Sequence, residues 1–290
     1  MTLAKRIGAR VELAKLKISA PAALTAFFGY LYAGGSPLEA IPATLGAFLL
    51  ATGSAAANHA QDREIDALME RTKSRPLPSG VVSVEEALLV SVFPVLAGSA
   101  TLVFACGWIP YALGVGAILW YNGVYAALKR RTAYAAVPGA IVGAIPPAIG
   151  WTAAGGDPTA PGFVAMVVFF FLWQTPHFWI LLMIRREDYR RAGLPSAADR
   201  SGVRALAFSS YVWIAATGAA GVGMAIFLGA SLPWVVAVAV AALGALALSF
   251  GLVQSPHDRA ALRLAFKSVN GFTLVCAAGV AAERAIDFYH

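Results

Sequence analysis

Residues 161–184 read PGFVAMVVFFFLWQTPHFWILLMI, 24 positions without one Asp, Glu, Lys or Arg. Wound as a helix, the run is about 36 Å long, enough to cross a hydrocarbon core about 30 Å thick. The same measure applied outward finds eight further candidates, at roughly 18–35, 39–58, 84–105, 108–128, 133–153, 205–229, 232–252 and 265–284. Several contain proline (Pro21, Pro94, Pro138, Pro146, Pro147, Pro176), which bundle interiors tolerate because neighbouring groups re-satisfy the freed carbonyls. Composition agrees: 59% of the 290 residues are hydrophobic and 13% charged, against about 25% charged in a soluble domain. Mean hydropathy is +0.70. A soluble enzyme, a coiled coil and a disordered tail are excluded. The expected architecture is an all-α integral membrane protein, a nine-transmembrane-helix bundle forming a single polytopic domain over residues 1–290. Cys106 and Cys276 have neither disulfide-framework nor zinc spacing and read as small core residues.

The basic residues fix an orientation. With the N-terminus assigned to the cytoplasm, 21 of the 22 Lys and Arg fall in the N-terminal segment and the even-numbered loops, and only Arg284 lies on the other side. The N-terminal segment carries Lys5, Arg6, Arg10, Lys15 and Lys17 and shows no convincing cleavage site. This is the positive-inside pattern. It places the N-terminus and the loops near 59–83, 129–132 and 185–204 in the cytoplasm and the C-terminus outside. The net charge of +7 is then topological, the partner it implies is the lipid bilayer, and nucleic acid drops out. Gly139-x-x-x-Gly143 suggests a close helix contact.

The second loop carries the chemistry. Ala55 to Met69 contains no Pro or Gly, so the second helix is expected to run through it and stack Asn58, Asp62 and Asp66 on one face. Two carboxylates at that spacing repel by a few tenths of a kcal/mol, so local stability does not explain them. A hard divalent cation does, because Mg²⁺ takes one or two protein carboxylates and fills its shell with water and phosphate oxygens. A solvated acidic face at the membrane border has the same spacing; the polar Asn58 and the following Arg71 and Arg75 favour a phosphate–metal site. The fourth helix ends with Tyr121, Tyr125 and Lys129 on one face, beside Arg130 and Arg131, which read as a stop-transfer pair. The sixth places His177 about two turns inside the border, followed by Glu187, Asp188 and Tyr189 in the loop. An ionisable group at that depth is a functional hypothesis by default, with a hydrogen bond to a carbonyl as the alternative. All three clusters lie on the cytoplasmic side and suit departure of a diphosphate from a lipid whose tail lies in the bundle. Phe27, Phe28, Trp120, Trp173, Phe178 and Trp179 are candidates to shield a carbocation.

These residues resemble a known family. Asn58-x-x-x-Asp62-x-x-x-Asp66 is similar to the first aspartate motif of the UbiA superfamily of intramembrane prenyltransferases. Residues 62–80 (DREIDALMERTKSRPLPSG), 128–151 (LKRRTAYAAVPGAIVGAIPPAIGW) and 173–195 (WQTPHFWILLMIRREDYRRAGLP) resemble its heme-farnesylating branch, and 262–275 (LRLAFKSVNGFTLV) does so more loosely. The resemblance implies a UbiA-type nine-helix bundle in the cell inner membrane, Mg²⁺ as cofactor, and farnesyl diphosphate as donor. The implied acceptor is a vinyl group of heme b, with heme A synthase or terminal-oxidase assembly factors as partners. Carried over, Asn58, Asp62 and Asp66 are metal ligands and, with Lys129 and Asp188, catalytic. Arg71, Arg75, Tyr121, Tyr125, His177, Glu187 and Tyr189 bind substrate. Glu187 and Asp188 stand where the superfamily's second aspartate motif lies, with Arg185 and Tyr189 in its register. The chain departs from the branch at Leu16, His59, Ala135-Ala136 and Ser196-Ala197-Ala198.

Two other readings fit parts of the pattern: a relative that prenylates an aromatic quinone precursor, and a non-catalytic heme-binding assembly factor or transporter. Transporters place their charges near the midplane of broken helices, whereas these carboxylates sit at a border, and an assembly factor has no need of Asp62 and Asp66. The charge census makes a topological prediction. A reporter fused after Gly80 should lie in the cytoplasm and one fused within residues 155–161 outside; both on one side would overturn the span count.

Overall fold

The computed structural model describes residues 3–289, with side chains for 8–284 and Ile286, so Lys5 and Arg6 of the basic run lie outside the described side chains. The described residues are helical with no strand. The principal helices are α1 (Leu3–Leu13), α2 (Leu16–Tyr32), α3 (Ile41–Leu68), α4 (Val84–Cys106), α5 (Trp108–Arg131), α6 (Ala136–Ala153), α7 (Pro161–Ile184), α8 (Val203–Phe227), α9 (Leu232–Gln254) and α10 (Arg259–Tyr289).

Seven of these, α4 to α10, are long and apolar enough to cross a membrane. The other two expected spans are helices of a different make. α2 has 17 residues, about 26 Å. α3 has 28, about 42 Å, but its last turns carry Asn58, His59, Gln61, Asp62, Arg63, Glu64 and Asp66. Among the described residues the structure therefore supports seven apolar spans plus two helices that miss that measure, one by length and one by polarity. The exposed belt is apolar: Phe104 is 88% exposed, Phe93 75% and Leu243 68%. In water such a surface would aggregate; it is the face of an integral membrane protein.

The helix starts follow from local chemistry. Ser83 accepts a hydrogen bond from the Glu86 amide (3.1 Å) while Glu86 accepts one from the Ser83 amide (3.3 Å), a capping box opening α4. Pro161 and Pro233 sit in the first turns of α7 and α9, where no intrahelical donor is lost. Two short π-helical stretches, Leu102–Cys106 and Leu119–Tyr125, interrupt α4 and α5; the second shapes the site.

Packing is close because small residues allow it. Lipid tails are as apolar as Leu, so burial alone does not drive these helices together and van der Waals fit must. α2 and α6 meet through Gly29 and Gly150; a Cβ at Gly29 would run into the Pro147 carbonyl, and one at Gly150 into that of Ala26. Gly139 and Gly143 also make the expected close contacts, against the Tyr125 ring and the Gln174 side chain. Phe28, Trp151, Phe169, Phe170, Met224 and Phe272 fill the largest buried cluster. The Tyr32 hydroxyl ties α2 to α10 by donating to the Ala277 carbonyl at 2.7 Å. Cys276 is buried in this cluster, as expected of a small core residue.

Gly150→Ala is expected to cost about 1–3 kcal/mol by overpacking, seen as a lower Tm in detergent. An unchanged Tm would show that α2 and α6 can separate freely.

Candidate active site

The site forms where α3 leaves the apolar layer. Asn58, Asp62 and Asp66 stack along one face, and the Asn58 amide donates to Asp62 Oδ2 at 3.0 Å. Asp62 also accepts from Lys129 of α5 and, at 3.3 Å, from Arg130. Asp66 accepts from Arg75 at 2.8 Å, and its own carbonyl accepts from the Thr72 hydroxyl at 2.8 Å, which folds the loop back over the helix end. Both carboxylates are thus held by cations from other elements.

The wide π-helical turn lets consecutive residues of α5 reach α3. Tyr121 donates to Asn58 Oδ1 at 3.3 Å. Asn122 accepts from Ser54 at 2.5 Å and donates to the Gln61 side chain at 3.2 Å. Tyr125 stacks on Tyr121 with centroids 5.7 Å apart and planes 16° from parallel. It stacks equally flat on Phe178 of α7 at 6.2 Å, and Phe178 meets His177 edge-on at 5.7 Å. A continuous aromatic ladder therefore joins the carboxylates to His177.

Lys15 is the site residue that sequence reading missed. It joins α1 to α2 in the left-handed region (φ 44°), the one described non-glycine residue there, and its amine donates to Asn58 Oδ1 at 2.9 Å. A non-glycine side chain in that region costs about 1–2 kcal/mol, and such strain gathers at functional sites. Burial lowers the Lys15 pKa to about 8, with Arg75 pushing the same way. No local pattern signals this; only the fold brings residue 15 to residue 58. His59 is 1% exposed, its Nδ1 is 4.0 Å from Asp66 Oδ2, and neither ring nitrogen has a hydrogen-bond partner among the described residues.

The third loop enters only in part. Asp188 accepts from the Glu70 amide at 3.1 Å, which ties this loop to that of residues 69–82 rather than adding a carboxylate to the cluster. Glu187 is turned outward, its side chain 64% exposed and 3.7 Å from Arg191. Both residues lie on the short helix Arg186–Arg191, and Asp188 acts electrostatically on Arg71. Tyr189 does lie within the field of Asp62, and burial raises its pKa. Arg71 has no ion-pair partner among the described residues; desolvation and then Arg75 and Arg185 lower its pKa.

Cations outnumber carboxylates at the site. Lys15, Arg71, Arg75, Lys129 and Arg130 surround two carboxylates. Two unit charges 6 Å apart interact by about 3 kcal/mol at an effective dielectric constant of about 20, so the surplus cations call for a polyanion. The oxygen-only set of Asn58, Asp62 and Asp66 suits Mg²⁺. The described residues hold no group of three His, Cys, Asp or Glu able to bind a metal alone, so a metal here needs outside ligands.

The sequence pattern of the UbiA prenyltransferase family matches residues 22–271. A protoheme IX farnesyltransferase of Geobacter sulfurreducens is 42% identical over 178 residues, 61% of this chain and 65% of that relative. One of Gloeobacter violaceus is 36% identical over 246 residues, 80% of this chain and 76% of that relative. The match thus spans just under two thirds of the Geobacter protein's length. Among solved structures, a UbiA homologue of Archaeoglobus fulgidus bound to GPP and Mg²⁺ superposes with TM-score 0.67 at 20% identity, over 96% of this chain and 100% of that one. A digeranylgeranylglyceryl phosphate synthase structure superposes with TM-score 0.74 at 17% identity, over 97% and 99%. At these identities the likeness is one of fold.

Lys129→Met should lower stability by about 1–3 kcal/mol, since it leaves Asp62 short of a partner in a half-buried place. Adding Asp62→Asn should restore more than half of the loss in a double-mutant cycle read by thermal unfolding. Simple additivity of the two losses would show that the pair is not coupled.

Proposed function

The chain belongs to the UbiA prenyltransferase family, and from that premise we propose that it transfers the farnesyl group of farnesyl diphosphate to a vinyl group of heme b, giving heme O and diphosphate. The observation that carries this reading is the cationic surplus around Asn58, Asp62 and Asp66, joined by the Tyr121–Tyr125–Phe178 ladder to His177. The protoheme IX farnesyltransferases among its relatives support the choice of acceptor.

In this reading Asn58, Asp62 and Asp66 would hold Mg²⁺, which would supply Lewis-acid chemistry toward the diphosphate oxygens. Lys129 and Arg75, paired with the two carboxylates, would be the cations placed to bind phosphate oxygens. Arg71, without an ion-pair partner among the described residues, adds a further guanidinium. The C1–O bond of the donor breaks and its electron pair leaves with the diphosphate. The faces of Tyr125 and Phe178 stabilise the cation at C1, and the vinyl π pair forms the new carbon–carbon bond. Water adds to the carbon cation beside the porphyrin ring and loses a proton to the departing diphosphate. His177 contacts the acceptor. Tyr121 and Tyr189 line the passage between the two ends, Asp188 fixes the loop carrying Arg71 and Arg75, and Glu187 stays outside.

In this reading the protein sits in the inner membrane, and the positive-inside pattern supports an N-terminus and site loops facing the cytoplasm and a C-terminus outside. Heme A synthase or terminal-oxidase assembly factors are the partners that would take the product. Chromatography of pigments from membranes expressing the protein tests the acceptor: a farnesylated heme is expected, and a prenylated quinone precursor in its place would overturn the reading. Asp62→Asn or Asp66→Asn should leave a folded protein and cut Mg²⁺-dependent transfer by about 100-fold or more, about 2.7 kcal/mol of barrier. Full activity in either purified variant would sink the metal assignment.

A further inference from the structure

Asn270, on α10, meets three groups whose hydrogen-bonding sense fixes its own. Its side-chain nitrogen lies 2.5 Å from the Phe266 carbonyl, which only accepts. Its side-chain oxygen lies 3.2 Å from the Trp173 indole nitrogen, which only donates. Neither end of the amide can be exchanged without losing both bonds. The same oxygen lies 2.7 Å from His177 Nδ1. Because that oxygen can only accept, Nδ1 must carry the imidazole proton, and the lone pair of the neutral ring is left on Nε2.

The ring is fixed in orientation as well as in protonation. Trp173 stands edge-on at 5.3 Å and Phe178 at 5.7 Å, and Phe266 lies tilted at 4.9 Å. Among the described residues Nε2 has no hydrogen-bond partner. Unlike both ring nitrogens of His59, it is not among the sealed, unpartnered atoms, so it retains accessible surface. A histidine that donates one N–H to a carbonyl oxygen and presents the other nitrogen bare is arranged as a metal ligand, and loss of the orienting partner typically costs 10–100-fold in metal affinity.

We propose that Asn270 is a positioning residue for the acceptor end of the site: it holds His177 as the Nδ1–H tautomer and so presents the Nε2 lone pair to a heme iron. The inference rests on heme as the acceptor and deepens that reading. Asn270 does not touch the substrate; it acts through His177, and Trp173 holds it in place.

The test uses the full-length protein in nanodiscs, titrated with ferric heme b and followed by absorption and resonance Raman spectroscopy. Wild type is expected to show a histidine-ligated spectrum that His177→Ala loses. Asn270→Leu is expected to weaken heme binding by about 10-fold or more and lose the histidine signature, while Mg²⁺-dependent binding of farnesyl diphosphate stays at the wild-type level. Asn270→Asp, nearly isosteric and as the neutral acid still able to donate to the Phe266 carbonyl and accept from Nδ1–H, should keep the signature. It guards against misfolding in the Leu variant, and its loss of ligation would overturn the proposal. Asn270→Leu spectra identical to wild type would overturn the role of Asn270 alone. A wild-type protein that takes up no heme, or whose heme spectrum survives His177→Ala, would overturn the reading beneath it.

Discussion

Two carboxylates one helical turn apart, Asp62 and Asp66, are the constraint on which the polar end of this protein depends. Left alone they would repel each other and carry negative charge to the edge of the hydrocarbon layer. The surrounding elements answer with cations: Lys15 from the α1–α2 joint, Arg75 from the loop after α3, and Lys129 and Arg130 from the end of α5. The folded loop, held by Thr72 on the Asp66 carbonyl, is what brings Arg75 back over the helix it has just left. An electrostatic problem on one helix face thus organises three separate segments of chain.

The aromatic ladder turns this polar end into part of a longer device. Tyr121, Tyr125, Phe178 and His177 run from a hydrogen bond with Asn58 to a ring boxed by Trp173 and Phe266. The ladder crosses between α5 and α7, and Gly139 gives Tyr125 the room to stand in it. Tyr125 lies near-parallel to both Tyr121 and Phe178, so the ladder is built from offset aromatic stacking.

Much of this was legible in the sequence because it is local. A stretch without Pro or Gly keeps Asn58, Asp62 and Asp66 in phase, so their shared face followed from the 3.6-residue period alone. Arg75 and Lys129 were legible because the charge asymmetry gathers the basic loops on one side. Lys15 was not, because its place depends on a left-handed backbone joint and on a contact between residues 43 positions apart. Asn270 was hidden for a similar reason: it meets His177 across two helices 93 positions apart in sequence. The partners of Glu187 and Asp188 were not legible, because a motif does not encode the direction of the short helix that sets Glu187 near Arg191 and Asp188 on the Glu70 amide. The nine-span expectation strained at α2 and α3, where length and polarity depart from a standard apolar rod.

The make of α3 has a consequence for the membrane itself. At about 42 Å it exceeds a 30 Å hydrocarbon core by about 12 Å, and that overhang holds Asp62 and Asp66. Its paired charges cannot be drawn into lipid, and the close contacts of its apolar half with α4, where a Cβ at Gly53 would meet the Ser91 carbonyl at 2.7 Å, prevent it from sliding alone. The helix therefore registers bilayer thickness. In a thicker membrane the mismatch must be met by thinning of the surrounding lipid or by a change in tilt of the whole bundle, at a cost of fractions of a kcal/mol per ångström. The lipid composition of the host membrane becomes a parameter of how deep the site sits beneath the headgroups.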